Sequence, residues 1–349
     1  MRRKSIKLIV SFSLVLIAAC DEPETVVTDI VHPDGSVTRK IEMKNMENKF
    51  DISNIQVPFD STWIVKDSLE INNEGDTTWV KRAEKLFKNI DEINRDYQAD
   101  SGSNKEAERK AEFKKKFKWF NTRYRFAEII DKTLSSGYPV AEFLNQEELK
   151  WFYSPENVTH DKLIGSDSIK FKAFNDTVSK KCDRWIFHCL FSEWITSFVS
   201  LTNGKADVDL TLESLKKREN DFVRIAEAND KEFDSLWTNG IILKEFIGEA
   251  DARKFKAEAD SATNLATHQV TIDFHNYYVK VVMPGRLTGT NGFIDSTGTI
   301  LWPVKAEYFL TQPYEMWAES KTPNIWTRIV SGVFILFVIA GIIFKAIKK

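Results

Sequence analysis

Cys182 and Cys189 bracket His188 in "CDRWIFHC", the densest grouping of ligand-type side chains in a chain of 349 residues. Two chemistries are open to such a grouping, a disulfide and a metal site. Trp185, Ile186, Ile195 and Phe198 recur around it at helical spacing. On one straight helix the two cysteines stand ~10 Å apart along the axis. A disulfide tolerates a Cα separation of only ~7 Å, so a bridge requires a broken helix. His188 points away from Cys189, and no second pair of ligands lies nearby, so zinc is not expected. Core cysteines are the favoured reading. His268 and His275 stand in a strand-like stretch, on opposite faces by parity, with no Ser or Cys motif partner. "MPGRLTGTNG" lacks the Lys-Ser/Thr ending and following helix of a phosphate loop, and reads as a turn. The sequence therefore nominates no catalytic, cofactor-binding or metal-binding residue.

Cys20 carries a different expectation. Arg2, Arg3, Lys4 and Lys7 precede an apolar stretch, Leu8 to Ala19. That stretch is too short for a ~30 Å hydrocarbon core and fits the apolar region of a secretory signal. Ile17-Ala18-Ala19-Cys20 resembles the lipobox of bacterial lipoproteins. The resemblance implies diacylglycerol on the Cys20 thiol and removal of residues 1–19. Asp21, Glu22 and Glu24 then start the mature chain in water.

At the other end, Ile329 to Phe344 is free of charge. Extended from Trp326 to Ile347 it makes ~33 Å of helix, enough to span a bilayer. Trp326 suits the near interface, and Lys345, Lys348 and Lys349 put residues 348–349 in the cytoplasm. The expected topology is a lipid anchor at Cys20, an extracytoplasmic body over 20–320 and a transmembrane helix over 325–347, in a bacterial cytoplasmic membrane. The formal charge is −2 for the whole chain. Without the eight cations of the two terminal segments it is about −10 over residues 20–327. Such a body is a poor partner for nucleic acid. Membrane lipid is the expected partner through Cys20 and the helix, with an envelope protein or lipid as the further class.

These residues must be held by some arrangement of elements. "TVVTDIVHPDGSVTRKIEM", Thr25 to Met43, reads as a hairpin turning at Pro33, Asp34 and Gly35. Trp63 to Leu69 and Thr77 to Val80 read as strands. Lys81 to Tyr97 and Glu106 to Phe120 read as helical, while strand and helix compete over Phe117 to Ile130, with strand preferred. "KKKFK", Lys114 to Lys118, reads as a solvated face or a contact for lipid headgroups. Gln146 to Phe152, Val178 to Leu201, Thr211 to Ala228, Asp230 to Trp237, Ile241 to Glu249 and Asp251 to Ala266 read as helices. From Gln269 onward the pattern is an antiparallel meander, turning at Pro284, Gly285, Asn291 and Gly292. The expected class is α+β: an antiparallel sheet from the N- and C-terminal segments, with a helical middle insertion over about 81–266.

Asp34, Gly35 and Ser36 after the lipobox, then Pro284, Gly285, Asn291, Gly292 and Trp302 before a terminal helix, resemble the LppM-type domain of other bacterial lipoproteins. The resemblance implies an α+β body held to a membrane and brings no catalytic residues. Asp followed by Ser or Thr, as at Ser61, Ser68, Thr77, Ser168, Thr177, Ser235, Ser261 and Ser296, resembles the O-glycosylation sequon of one group of Gram-negative bacteria. The same dipeptides also mark turns and helix starts. The functional expectation is a non-enzymatic binding or scaffolding module at a membrane surface. Its rivals are a hydrolase of envelope polymers or lipids, which needs a catalytic pocket, and a hydrophobic-ligand carrier, which needs a deep apolar cavity.

Overall fold

Val27, Val31, Val37, Ile41 and Met43 alternate along two strands and all point the same way, into the core. They lie on β1 (Glu24–Val31) and β2 (Val37–Asn45), which pair antiparallel around the His32–Ser36 turn. The computed structural model describes residues 24–46, 48, 50, 57, 60–71, 77–99, 107–135, 137–155, 166–203, 205, 211–228, 240–270, 274–295 and 297–348. Cys20, Ser235, Ser296 and the Asp230 to Trp237 segment lie outside the described residues.

The other elements follow in order: β3 (Ile64–Ile71), β4 (Thr77–Phe87), α1 (Ile90–Ala99), β5 (Arg109–Lys118), β6 (Asn121–Ile130) and α2 (Gln146–Phe152). Next come α3 (Ser166–Thr202), α4 (Leu212–Lys216), α5 (Glu219–Ala228), α6 (Ile241–Ile247), α7 (Glu249–Lys254) and α8 (Lys256–Val270). The chain then makes β7 (Tyr277–Val282), β8 (Arg286–Thr290), β9 (Phe293–Ile294), β10 (Ile300–Val304), β11 (Tyr314–Pro323) and α9 (Ile325–Ile347).

Two sheets result. The larger has strand order β3-β4-β2-β1-β7-β10-β9, and the smaller β5-β6-β11-β8. The N- and C-terminal segments thus share one sheet, and the fold is α+β with a helical middle. The strands that join the two ends run parallel, Val27 opposite Val279. Parallel neighbours need a long crossover, and the whole middle of the chain supplies it. Phe126, Met316 and Ala318 of the small sheet pack in one core with Ile41, Val279 and Trp302 of the large one.

The structure corrects three expectations. Residues 81–87 continue β4 and residues 109–118 form β5, so of the expected helix over 81–97 only Ile90 onward is helical, and most of the helical middle among the described residues lies between Ser166 and Val270. Lys and Glu favour helices in isolation, but β6 offers β5 a full antiparallel partner, and pairing overrides propensity. The third correction is at His268, which ends α8 in place of starting a strand. The apolar stripe of Ala259, Ala262 and Ala266 carries that helix onward. Asn94 of α1 caps the outer edge of β5, its amide giving to and taking from the Ala111 backbone at 3.0 and 2.7 Å.

Candidate functional site

On α3, Lys181, Arg184 and His188 face one side at helical spacing. Opposite them lie the loop at Tyr138, Glu142 and Phe143, and the junction of α4 and α5 at Lys216, Glu219 and Asn220. Together they line an open cleft of about 550 Å³, within the size range of small-molecule sites. Packing fixes its walls. The Trp185 indole donates to the Tyr138 carbonyl at 2.7 Å, and Phe143 lies against the His188 ring.

At its floor Glu219 joins two partners. His188 Nδ1 lies 2.7 Å from Glu219 Oε1, and the Tyr138 hydroxyl donates to Oε2 at 2.6 Å. A carboxylate only accepts, so Nδ1 carries a proton, and in the neutral ring Nε2 keeps its lone pair. Among the described residues Nε2 has no hydrogen-bond partner. Burial, reinforced by the bond to Glu219 and its charge, pushes the Tyr138 phenol well above its usual range, so it stays a donor. Glu219 also sits in the first turn of α5, where the helix dipole favours a negative charge. Lys181 reaches Glu148 at 2.7 Å at the cleft edge. The arrangement can accept a proton or hydrogen bond at Nε2 and hold an anionic group near Lys216.

A second polar cluster lies between the two sheets. Arg39 grips Asp29 through Nε and Nη2 at 2.7 and 2.8 Å, reaches Glu128, and donates to the Tyr97 hydroxyl at 2.5 Å. Tyr97 in turn donates to Glu128 at 2.7 Å. Burial lifts the Asp29 carboxyl to about 6 against the pull of Arg39, with a smaller push from Glu128. Asp29 and Arg39 are both buried, as a structural cluster would be.

Of the residues singled out in the sequence, His188 lies in this cleft and the others fall elsewhere. Cys182 and Cys189 are free, buried thiols on α3, and burial pushes both to about 12. Among the described residues no group of three His, Cys, Asp or Glu could hold a metal ion. Pro33, Asp34 and Gly35 form the tip of the first hairpin, where Asp34 accepts from the Ser36 amide at 3.0 Å. Gly285 has φ of +78°, and a Cβ there would meet the Lys321 carbonyl at 2.5 Å. The neighbouring Pro284 carbonyl accepts from Ser320 at 2.7 Å. Asn291 accepts from the Trp302 indole and the Trp317 amide at 3.0 and 2.9 Å, and a Cβ on Gly292 would strike the Trp302 ring at 2.5 Å. Ser61, Thr77, Thr177 and Ser261 are exposed, and Ser68 is half-buried. Thr177 and Ser261 lie within helices and donate to Ala173 and Ala257, and Ser168 is on the first turn of α3.

Sequence reasoning missed both polar clusters. His188 and Glu219 meet only through the packing of α3 on α5. Asp29 and Arg39 did carry a signal: each occupies an apolar-parity position of an alternating strand.

No family model matches the chain. No curated protein matches it either. A solved structure, the NMR structure of the folded domain of Mycobacterium tuberculosis LppM, aligns over 88% of this chain and 94% of that one. The identity is 8% and the TM-score 0.25. This is a weak structural link to that domain.

Proposed function

We propose that the protein is a membrane-tethered envelope module that holds a ligand or partner at the bilayer surface, by binding and not by turnover. The observation that carries this reading is the junction between body and terminal helix. Residues 325–347 form one helix long and apolar enough to cross a membrane, with mean hydropathy 2.5 and none of its most apolar window buried. The last strand ends at Pro323, and Asn324 fastens the helix to the body. Its amide nitrogen donates to Phe120, its side chain donates to Lys118 at 2.7 Å, and Thr122 donates to it at 2.9 Å. A body so mounted works on what lies beside the bilayer. Acylation of Cys20 would hold the other end to the same surface, with the body outside the cytoplasmic membrane and the C-terminus inside.

The test is complementation of a deletion strain. The full chain should restore the wild-type phenotype, and an exported body lacking both anchors should not. Full restoration by the anchor-free body overturns the reading.

One observation favours the hydrolase reading: the His188–Glu219 pair is arranged as an oriented base. Among the described residues that line the cleft none is Ser, Thr or Cys, and an enzyme of this kind would use the base to activate water. Loss of an envelope-polymer or lipid hydrolysis activity in His188→Gln would move the assignment there. The hydrophobic-carrier reading gains little. The apolar cavity beside Trp194 and Leu243 holds about 120 Å³, below the ~300 Å³ at which ligand sites begin.

A further inference from the structure

Register places four cations in one row across all four strands of the small sheet. Lys116 on β5 faces Arg123 on β6, Arg123 faces Lys321 on β11, and Lys321 faces Arg286 on β8. Cross-strand partners point to the same side, about 5 Å apart. This is the outer side, since Tyr124 and Ser320, next to Arg123 and Lys321 in their strands, are buried. Like charges directly opposite one another destabilise a sheet. Natural sheets relieve this with interleaved acids, as one step farther from the helix, where Arg125 takes Glu315 and Glu319 at 2.8 and 3.2 Å. No cation in the row has an acidic partner among the described residues.

The row lies at the end of the sheet from which α9 departs. The β5–β6 turn packs along the first turns of that helix. Phe117 stacks on Trp326 with centroids 6.3 Å apart, and the Trp119 indole donates to Ser331 at 2.9 Å. Ser331 is already inside the uncharged run that begins at Ile329. If the helix crosses a bilayer, Trp119 sits at the hydrocarbon boundary, the depth that Trp prefers. Lys116 is three residues before Trp119, which lies in the turn just past the end of β5, so the two are at most ~10 Å apart, and a lysine arm spans much of that distance back. The headgroup layer is ~5–8 Å thick on each side. The row therefore hangs over the phosphates.

We infer that the row Lys116, Arg123, Lys321 and Arg286 is a docking surface for the anionic headgroups of the bilayer that α9 enters. The body is anionic overall, yet this row is a run of cations without acidic partners among the described residues, placed where lipid phosphate would neutralise it. Headgroup binding removes the repulsion within the row and clamps the sheet against the membrane. This inference rests on the membrane-spanning reading of α9.

The experiment compares thermal unfolding of the full chain in nanodiscs of neutral phosphatidylcholine and in nanodiscs with one-third phosphatidylglycerol. We expect unfolding several degrees higher in the anionic discs, a gap that closes in high salt. Replacing all four cations with Gln should abolish the gap and, in neutral discs, raise the unfolding temperature. Neutralising the exposed Lys66, Lys88, Lys172 and Lys244 should leave the gap intact. Inorganic phosphate added to neutral discs should not reproduce it. A chain that fails to insert through residues 325–347 overturns both readings. An inserted chain with no gap, a gap surviving in the four-Gln variant, or a gap matched by free phosphate overturns the headgroup surface alone.

Discussion

Asp29 and Arg39 stand directly opposite each other in the β1–β2 register and join through two hydrogen bonds, both side chains out of solvent. Two carboxylates and a phenol share the one guanidinium, so its removal strands two buried acids. Arg39→Met should cost about 3–5 kcal/mol of unfolding free energy. Converting Asp29, Arg39 and Glu128 together to Leu, Met and Gln should recover most of that loss. Denaturant midpoints of the three proteins measure it, and a single variant as stable as wild type would show the cluster to be dispensable.

The same cluster gives a pH signature. Burial raises the Asp29 carboxyl to about 6 in the folded protein, above its ordinary value of 3.8. Between about pH 4 and 6 the folded state holds a proton that the unfolded chain has released. This group's contribution to stability therefore falls as pH rises through that window, and is flat above it. The difference in unfolding temperature, wild type minus Asp29→Asn, should shrink from pH 4 to 6 and then stay constant. A widening difference would mean that the carboxyl is depressed.

Both α3 thiols should be inert. Burial pushes Cys182 and Cys189 to about 12, and the thiolate is the reactive form. Iodoacetamide at pH 8 should label neither in the native protein and both after denaturation without reductant. A denatured mass lower by two hydrogens would reveal a bridge. Because the unfolded thiols ionise earlier, these groups also withdraw stability above about pH 9.

Gly292→Ala should destabilise by about 1–3 kcal/mol through overpacking. The added methyl meets the Trp302 ring, which is buried and held by Asn291. The measurement is a thermal melt beside Gly298→Ala. Gly298 has open space around it, so that variant feels only backbone strain at its positive φ.

Asn324→Ala should loosen the body from its helix without unfolding either. Limited trypsin digestion in nanodiscs should then cut at Lys321 faster, with an unchanged melt of the β-sheets. Unchanged cleavage would place the rigidity of the junction elsewhere.

How much of this was legible depends on how local the determinant is. The first hairpin was readable because alternation and "HPDG" lie within twenty residues. Its pairing with the C-terminal strands was expected from the sequence, where strand patterns flank a helical middle. The strand character of "EFKKKFK" was not, because its cause is β6 and not its own composition. The row from Lys116 to Arg286 is invisible in sequence, since a shift of one residue in any of the four strands would scatter it. The His188–Glu219 contact depends on how a long helix meets a short one 31 positions later, which periodicity does not encode.

The parallel seam between Val27 and Val279 joins positions 252 apart in the chain. A ribosome adding ~5–20 residues per second therefore completes β7 on the order of ten seconds to a minute after β1. Throughout that interval β1, paired with β2 on one side, presents its other edge unsatisfied. Such an edge is a template for the wrong neighbour, and contacts so distant in sequence close slowly. The newborn chain thus has a vulnerable adolescence, and its yield in a cell is set by whatever shields that edge until the last third arrives.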